Sequence, residues 1–92
     1  MKIEHVNGKN DHRVMVYALS TCVWCRKTKA LLEEMGVGYD YAYIDLVPRE
    51  EQNAALAELG KYNRSGNFPT TVIDGDKVIV GFKEKELREA LA

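Results

Sequence analysis

The sequence holds no apolar run long enough to span a bilayer, and its opening, MKIEHVNGKNDHRV, lacks the apolar core of a secretory signal. A cytoplasmic protein with no membrane partner is therefore expected. A large excess of charge of one sign is missing too. Thirteen basic side chains against 14 acidic ones give a formal net charge of −1, which removes the electrostatic reason to expect a nucleic-acid partner. No internal repeat or low-complexity tract divides the chain, and 92 residues close a single core. Cysteine is scarce, with Cys22 and Cys25 the only two. A structural disulfide is unfavoured in a reducing compartment, and a bridge between them would close too short a loop to constrain the unfolded chain much. His5 and His12 are the only histidines, and the six residues between them do not match the usual zinc spacing, so no metal site is expected. A metal or iron–sulfur role would need a dimer or an added thiol.

What is present alternates between strand and helix patterns. Val14 to Leu19 (VMVYAL) is a continuous β-branched and apolar run that suits a buried strand. Ser20 and Thr21 are good helix N-caps, and Trp24, Thr28, Leu31, Leu32 and Met35 then recur at the period of one helix face, stopped by Gly36. Tyr39 to Ile44 reads as a second strand, parallel to the first through a right-handed crossover. Pro48 suits a first helical turn, and the helix after it turns Ala55, Leu56 and Leu59 inward and stops at Gly60. Two short β runs around Asp74-Gly75 predict a hairpin from Thr70 to Val80. Lys83 to Leu91 predicts a final helix with Leu87, Ala90 and Leu91 on one side. The order β-α-β-α-β-β-α implies an α/β fold, a mixed four-stranded sheet with helices on both faces, over residues 14–92. Residues 1–13 form an N-terminal extension, either an extra edge strand turning at Asn7-Gly8 or a loose tail.

In this order Cys22 falls where the first strand gives way to its helix. The first N–H groups of a helix lack intrahelical partners and favour negative charge, so a sulfur placed there suits the attacking role. Cys25, three residues on, lies on the same face at about 5–6 Å between Cβ atoms, close enough for the sulfurs to bond after small adjustments. Stabilising a thiolate lowers its nucleophilicity but makes it a better leaving group, which favours reversible dithiol exchange over one-way covalent catalysis. Two other readings stay open at this point. Two cysteines can simply be buried core residues, or they can be half of a metal site. The strand-to-helix context is the one in which Cys-x-x-Cys reads as redox.

These residues, with VYALSTCVWC, RKTKALLEEMGVGYDY, NFPTTVI and VGFKEKEL as the carrying stretches, resemble the glutaredoxin family and the related redoxins that serve ribonucleotide reductase. The resemblance implies a thioredoxin-like fold and disulfide reduction, with Cys22 as nucleophile and Cys25 as resolving thiol. It further implies that Pro69 follows a cis bond, leaving the backbone of Phe68 free to pair with an incoming substrate. Thr21, Val23, Trp24, Phe68, Pro69, Gly81, Phe82 and Lys83 would line the substrate site. The departures are equally specific. Val23 and Trp24 stand between the cysteines where proline and tyrosine are typical, and Leu19 replaces a glutathione-binding lysine. Lys83 stands where an acid would meet the glutathione amino group. Weak glutathione use follows. The expected substrates are disulfide-containing proteins or small disulfides, with no tightly bound cofactor. Reducing equivalents would come from a low-molecular-weight thiol or a nicotinamide-dependent disulfide reductase, and the protein would act as a monomer. Gly81-Phe82 and Thr28-Lys29 resemble the ribonucleotide reductase redoxins. An electron-donor role there, or a metal or iron–sulfur carrier role, is the alternative.

Overall fold

The computed structural model describes residues 1–92. Its strands are β1 (Glu4–Val6), β2 (Val14–Ala18), β3 (Tyr39–Tyr43), β4 (Thr70–Ile73) and β5 (Lys77–Val80), and its helices are α1 (Val23–Glu34), α2 (Gln52–Gly60) and α3 (Glu84–Leu91). They form one sheet in the order β1-β3-β2-β4-β5. β2 and β3 run parallel with Val16 opposite Tyr41, as the crossover through α1 requires, while β4 is antiparallel to both β2 and β5. The expected β-α-β-α-β-β-α order is present, but the sheet has five strands, not four. The fifth is β1, paired antiparallel to the outer edge of β3 through His5 and Asp40.

Strand alternation sorts the core into two layers. Val14, Val16 and Ala18 face α1 and α3, where Cys25, Leu31, Leu32, Leu87 and Leu91 close against them. Tyr17 and Val72 face the other way, against Ala55 and Leu59 of α2. A side chain as fully buried as Leu32 stabilises the fold by roughly 2 kcal/mol through apolar transfer alone.

Several boundaries differ from expectation, and α3 begins at Glu84 with Lys83 as its N-cap. Leu19 and Ile44 lie outside their strands, Ile44 opening a 3₁₀ turn that ends at Leu46. Pro48 is followed by a second 3₁₀ turn, Arg49–Glu51, before α2 begins. Leu56 is exposed, because Ala55 and Leu59, one turn apart, fix the inward face and the next residue lies about 100° round the helix. Gly36 takes the left-handed conformation (φ 71°) that stops α1, and Asp74 and Gly75 take it in the β4–β5 turn.

Candidate active site

The end of β2 and the start of α1 place the cysteines. The Cys22 N–H donates back to the Leu19 carbonyl at 3.2 Å, and Cys22, extended at φ −86° and ψ 117°, is itself the N-cap of α1. Its Sγ accepts from the Cys25 N–H at 3.1 Å. The sulfur thus does what the oxygen of serine or threonine usually does at a cap. The N-cap expected at Ser20 or Thr21 is corrected: Ser20 gives its N–H (2.9 Å) and its hydroxyl to the Asp45 carboxylate, and Thr21 is exposed in the turn between. Those bonds hold the Asp45 carboxyl below its ordinary value, the Ser20 hydroxyl contributing most.

Cys22 is half-buried, whereas Cys25 is 1% exposed against the α1–α3 core. Burial, helped by the hydrogen bond with Cys22 and by the charge of nearby Asp45, pushes the Cys25 thiol up to about 12, so it is protonated at neutral pH. One sulfur is therefore reachable and backed by a helix N–H, and the other is held in reserve as a thiol.

Around them lies an apolar rim. Val23 and Trp24 are about half exposed. The Trp24 ring stacks on Phe82 with centroids 6.1 Å apart, and the Lys27 ammonium sits 4.8 Å over the same ring. Phe82 follows Gly81, whose φ of 86° suits glycine and whose N–H donates to the Pro69 carbonyl at 2.7 Å. The Phe68–Pro69 bond is cis, Pro69 is buried, and the backbone N–H and carbonyl of Phe68 make no hydrogen bond within the chain. Lys83 is exposed, 3.8 Å from Glu86. The structure thus joins Trp24 to Phe82 by stacking and the neighbouring Gly81 to the buried Pro69 by a backbone hydrogen bond. Leu19 packs against the α2 layer.

Two positioning residues were not anticipated from sequence. Asp45 anchors the turn before Cys22. Asn63, buried in the loop after α2, donates to the Asn67 carbonyl (3.1 Å) and the Thr70 hydroxyl (3.0 Å) and accepts from the Ser65 N–H, which fixes the approach to Pro69. Both are short polar residues next to a strand or helix end, a weak signal without the partner in view. No group of three or more His, Cys, Asp or Glu side chains is arranged to hold a metal ion, and no helix is long and apolar enough to cross a membrane.

Comparison with known proteins agrees with this geometry. A family model described as glutaredoxin matches residues 14–78. The crystal structure of the glutaredoxin from Methanosarcina mazei Go1 is 49% identical, with a TM-score of 0.88 over 100% of this chain and 89% of that one. Methanosarcina acetivorans methanoredoxin is also 49% identical, with a TM-score of 0.82 over 87% of this chain and 84% of that one. A glutaredoxin-like 8.6 kDa protein in the rubredoxin operon of Clostridium pasteurianum is 31% identical over 80% of this chain and 91% of its own length. With a thioredoxin-like sheet, a Cys-x-x-Cys pair at the start of the first crossover helix and a cis proline just before β4, the chain belongs to the glutaredoxin family.

Proposed function

We propose that the protein is a cytoplasmic thiol–disulfide oxidoreductase that reduces protein or low-molecular-weight disulfides through Cys22 and Cys25. The observation that carries this reading is the asymmetry of the two sulfurs. The reachable Cys22 Sγ accepts from a helix N–H, and the buried Cys25 keeps its proton.

In the forward direction the Cys22 thiolate attacks one sulfur of the substrate disulfide, and the other leaves as a thiolate. Two of the influences that raise the Cys25 thiol, its hydrogen bond to Cys22 and the charge there, disappear once the Cys22 sulfur is bonded to substrate. Cys25 then loses its proton more readily and attacks Cys22 Sγ. The second substrate sulfur is released, and a Cys22–Cys25 disulfide remains, two electrons having passed to the substrate. The unpaired backbone groups of Phe68 would bond an extended substrate, and Thr21, Val23, Trp24, Gly81 and Phe82 would give it a mostly apolar bed over the buried Pro69.

Lys83 at the rim and Leu19 in place of a lysine disfavour glutathione, so the reductant is a different small thiol or a nicotinamide-dependent disulfide reductase. Oxidised protein offered glutathione, other cellular thiols, and a thioredoxin reductase with its nicotinamide donor, side by side, identifies which restores the dithiol. Fastest recovery with glutathione would overturn that part. Cys22→Ser abolishes disulfide reduction, and Cys25→Ser accumulates a mixed disulfide visible by mass. Full activity in Cys22→Ser sinks the whole reading. Gly81-Phe82 favours service to ribonucleotide reductase as a second reading, and turnover of that enzyme with this chain as the only dithiol donor tests it.

A further inference from the structure

A cavity of about 650 Å³ lies on the opposite face of the sheet from the cysteines, and none of the residues around Cys22 lines it. Much of its wall comes from residues 1–13, outside the region matched by the family model. Strand alternation explains its position. His5 on β1, Asp40 on β3, Met15 and Tyr17 on β2, and Arg13 just before it all point to the α2 side, with Met15 opposite Asp40 and Asp40 opposite His5. With nine residues, α2 is only about 14 Å long, so it covers part of this face and leaves the rest open.

The polar groups in the cavity divide into two poles. At the β2 entrance stand Arg13 and His12. His12 is bonded through Nδ1 to Asp74 at 2.8 Å, and the Arg13 guanidinium forms no ion pair. Four residues along the strand, about 13 Å at an extended rise, the Tyr17 ring stacks on Tyr62 at 6.2 Å beside Glu58, whose carboxylate is also unpaired. Tyr17 is 3% exposed, yet its hydroxyl bonds to nothing in the chain and is not sealed off, so it opens into the cavity. Burial, with Glu58 and Tyr62 contributing, pushes that hydroxyl up to about 12 and keeps it a neutral donor and acceptor. Met15 and Val72 add apolar wall, Asn7 and Asn10 add neutral polar groups, and Asp40 is already occupied by His5 at 2.6 Å. Arg13, which feels the Asp74 carboxylate but makes no ion pair with it, and Glu58 at the other end match a ligand with no net charge and two charged ends.

We propose that this cavity binds a small peptide-like zwitterion with an apolar side group, its carboxylate toward Arg13 and His12 and its ammonium toward Glu58 and the Tyr17 hydroxyl. A tripeptide spans about 10 Å when extended, which bridges the two poles once the side chains reach inward.

The test titrates ¹⁵N-labelled full-length protein with the tripeptide Ala-Phe-Ala and with its N-acetylated and C-amidated forms. Saturable shifts are expected at Met15, Tyr17, Asp40 and Tyr62 with a dissociation constant of about 1 mM or tighter, and capping either end weakens binding about tenfold. Arg13→Gln removes the preference for the free carboxylate and Glu58→Gln removes the preference for the free amine. Both residues are exposed, so the fold and the rate of disulfide reduction stay unchanged. Absence of saturation, equal binding of the capped peptides, or shifts centred on Cys22, Trp24 and Phe82 overturns the proposal. Disulfide reduction is measured separately and is not affected by that outcome.

Discussion

Burial decides what Cys25 can do before any substrate arrives. Iodoacetamide at pH 7–8 is expected to modify the reduced protein once, at Cys22, with Cys25 reacting only after denaturation; peptide mapping checks this. The same burial links stability to alkaline pH. The folded state holds the Cys25 thiol above the ordinary value of 9.0, so its contribution is full below about pH 9 and is lost as pH rises toward 12. A Cys25→Ala variant should show a flatter loss of stability across that window in denaturant titrations. A third residue matters for a different reason. Thr71 is fully buried, and its hydroxyl has no hydrogen-bond partner. Thr71→Val keeps the branched strand shape and removes the unpaired group, so a gain of about 1 kcal/mol, read from the denaturation midpoint, is expected. The cysteine pair was legible in the sequence because its spacing is local. The Thr71 hydroxyl was not, because its lack of a partner depends on what packs around it.

At the scale of elements, two junctions matter most. The Trp24–Phe82 stack joins the start of α1 to the turn before α3. Phe82→Ala should release Trp24, change its fluorescence, and raise KM for a protein disulfide about two- to tenfold while sparing kcat, the size expected of one aromatic pair. An unchanged KM would remove Phe82 from the substrate bed. The second junction fastens the N-terminal extension. The Lys9 N–H donates to the Gly36 carbonyl and the Lys9 carbonyl accepts from the Gly38 N–H, both at 2.8 Å, while a Cβ at Gly8 would lie 2.5 Å from the Gly38 nitrogen. Gly8→Ala should therefore lower stability by about 2 kcal/mol in chemical denaturation, since the colliding atoms are backbone. The helices and the hairpin could be read from period and turn chemistry. The junctions could not, because stacking and backbone crossings join residues far apart in the chain.

At the scale of the whole molecule, β1 covers the outer edge of β3. Removing residues 1–7 should leave disulfide reduction intact, because β3 separates β1 from β2, whose end leads to the cysteines. It should also expose the unpaired edge of Tyr39–Tyr43 and cause concentration-dependent association, visible by light scattering. The two-layer core explains why such a truncation is tolerable. The α1–α3 layer closes around Val16, Leu32 and Leu87, with Val6 contributing only at its margin.

The sequence by itself determined the order of elements and the reactive pair, because these rest on periodicity and spacing within a few residues, and its resemblance to glutaredoxins over a few stretches pointed to the family. Tertiary structure alone decided that Asp45 takes up Ser20 and leaves the cap of α1 to Cys22, that Asn63 holds the loop before Pro69, and that Leu56 faces outward. It also decided that residues 1–13 add a strand to the sheet and help wall the cavity on its α2 face. Each of these depends on which distant backbone and side-chain groups are brought within hydrogen-bonding or packing distance, and only the closed fold sets that.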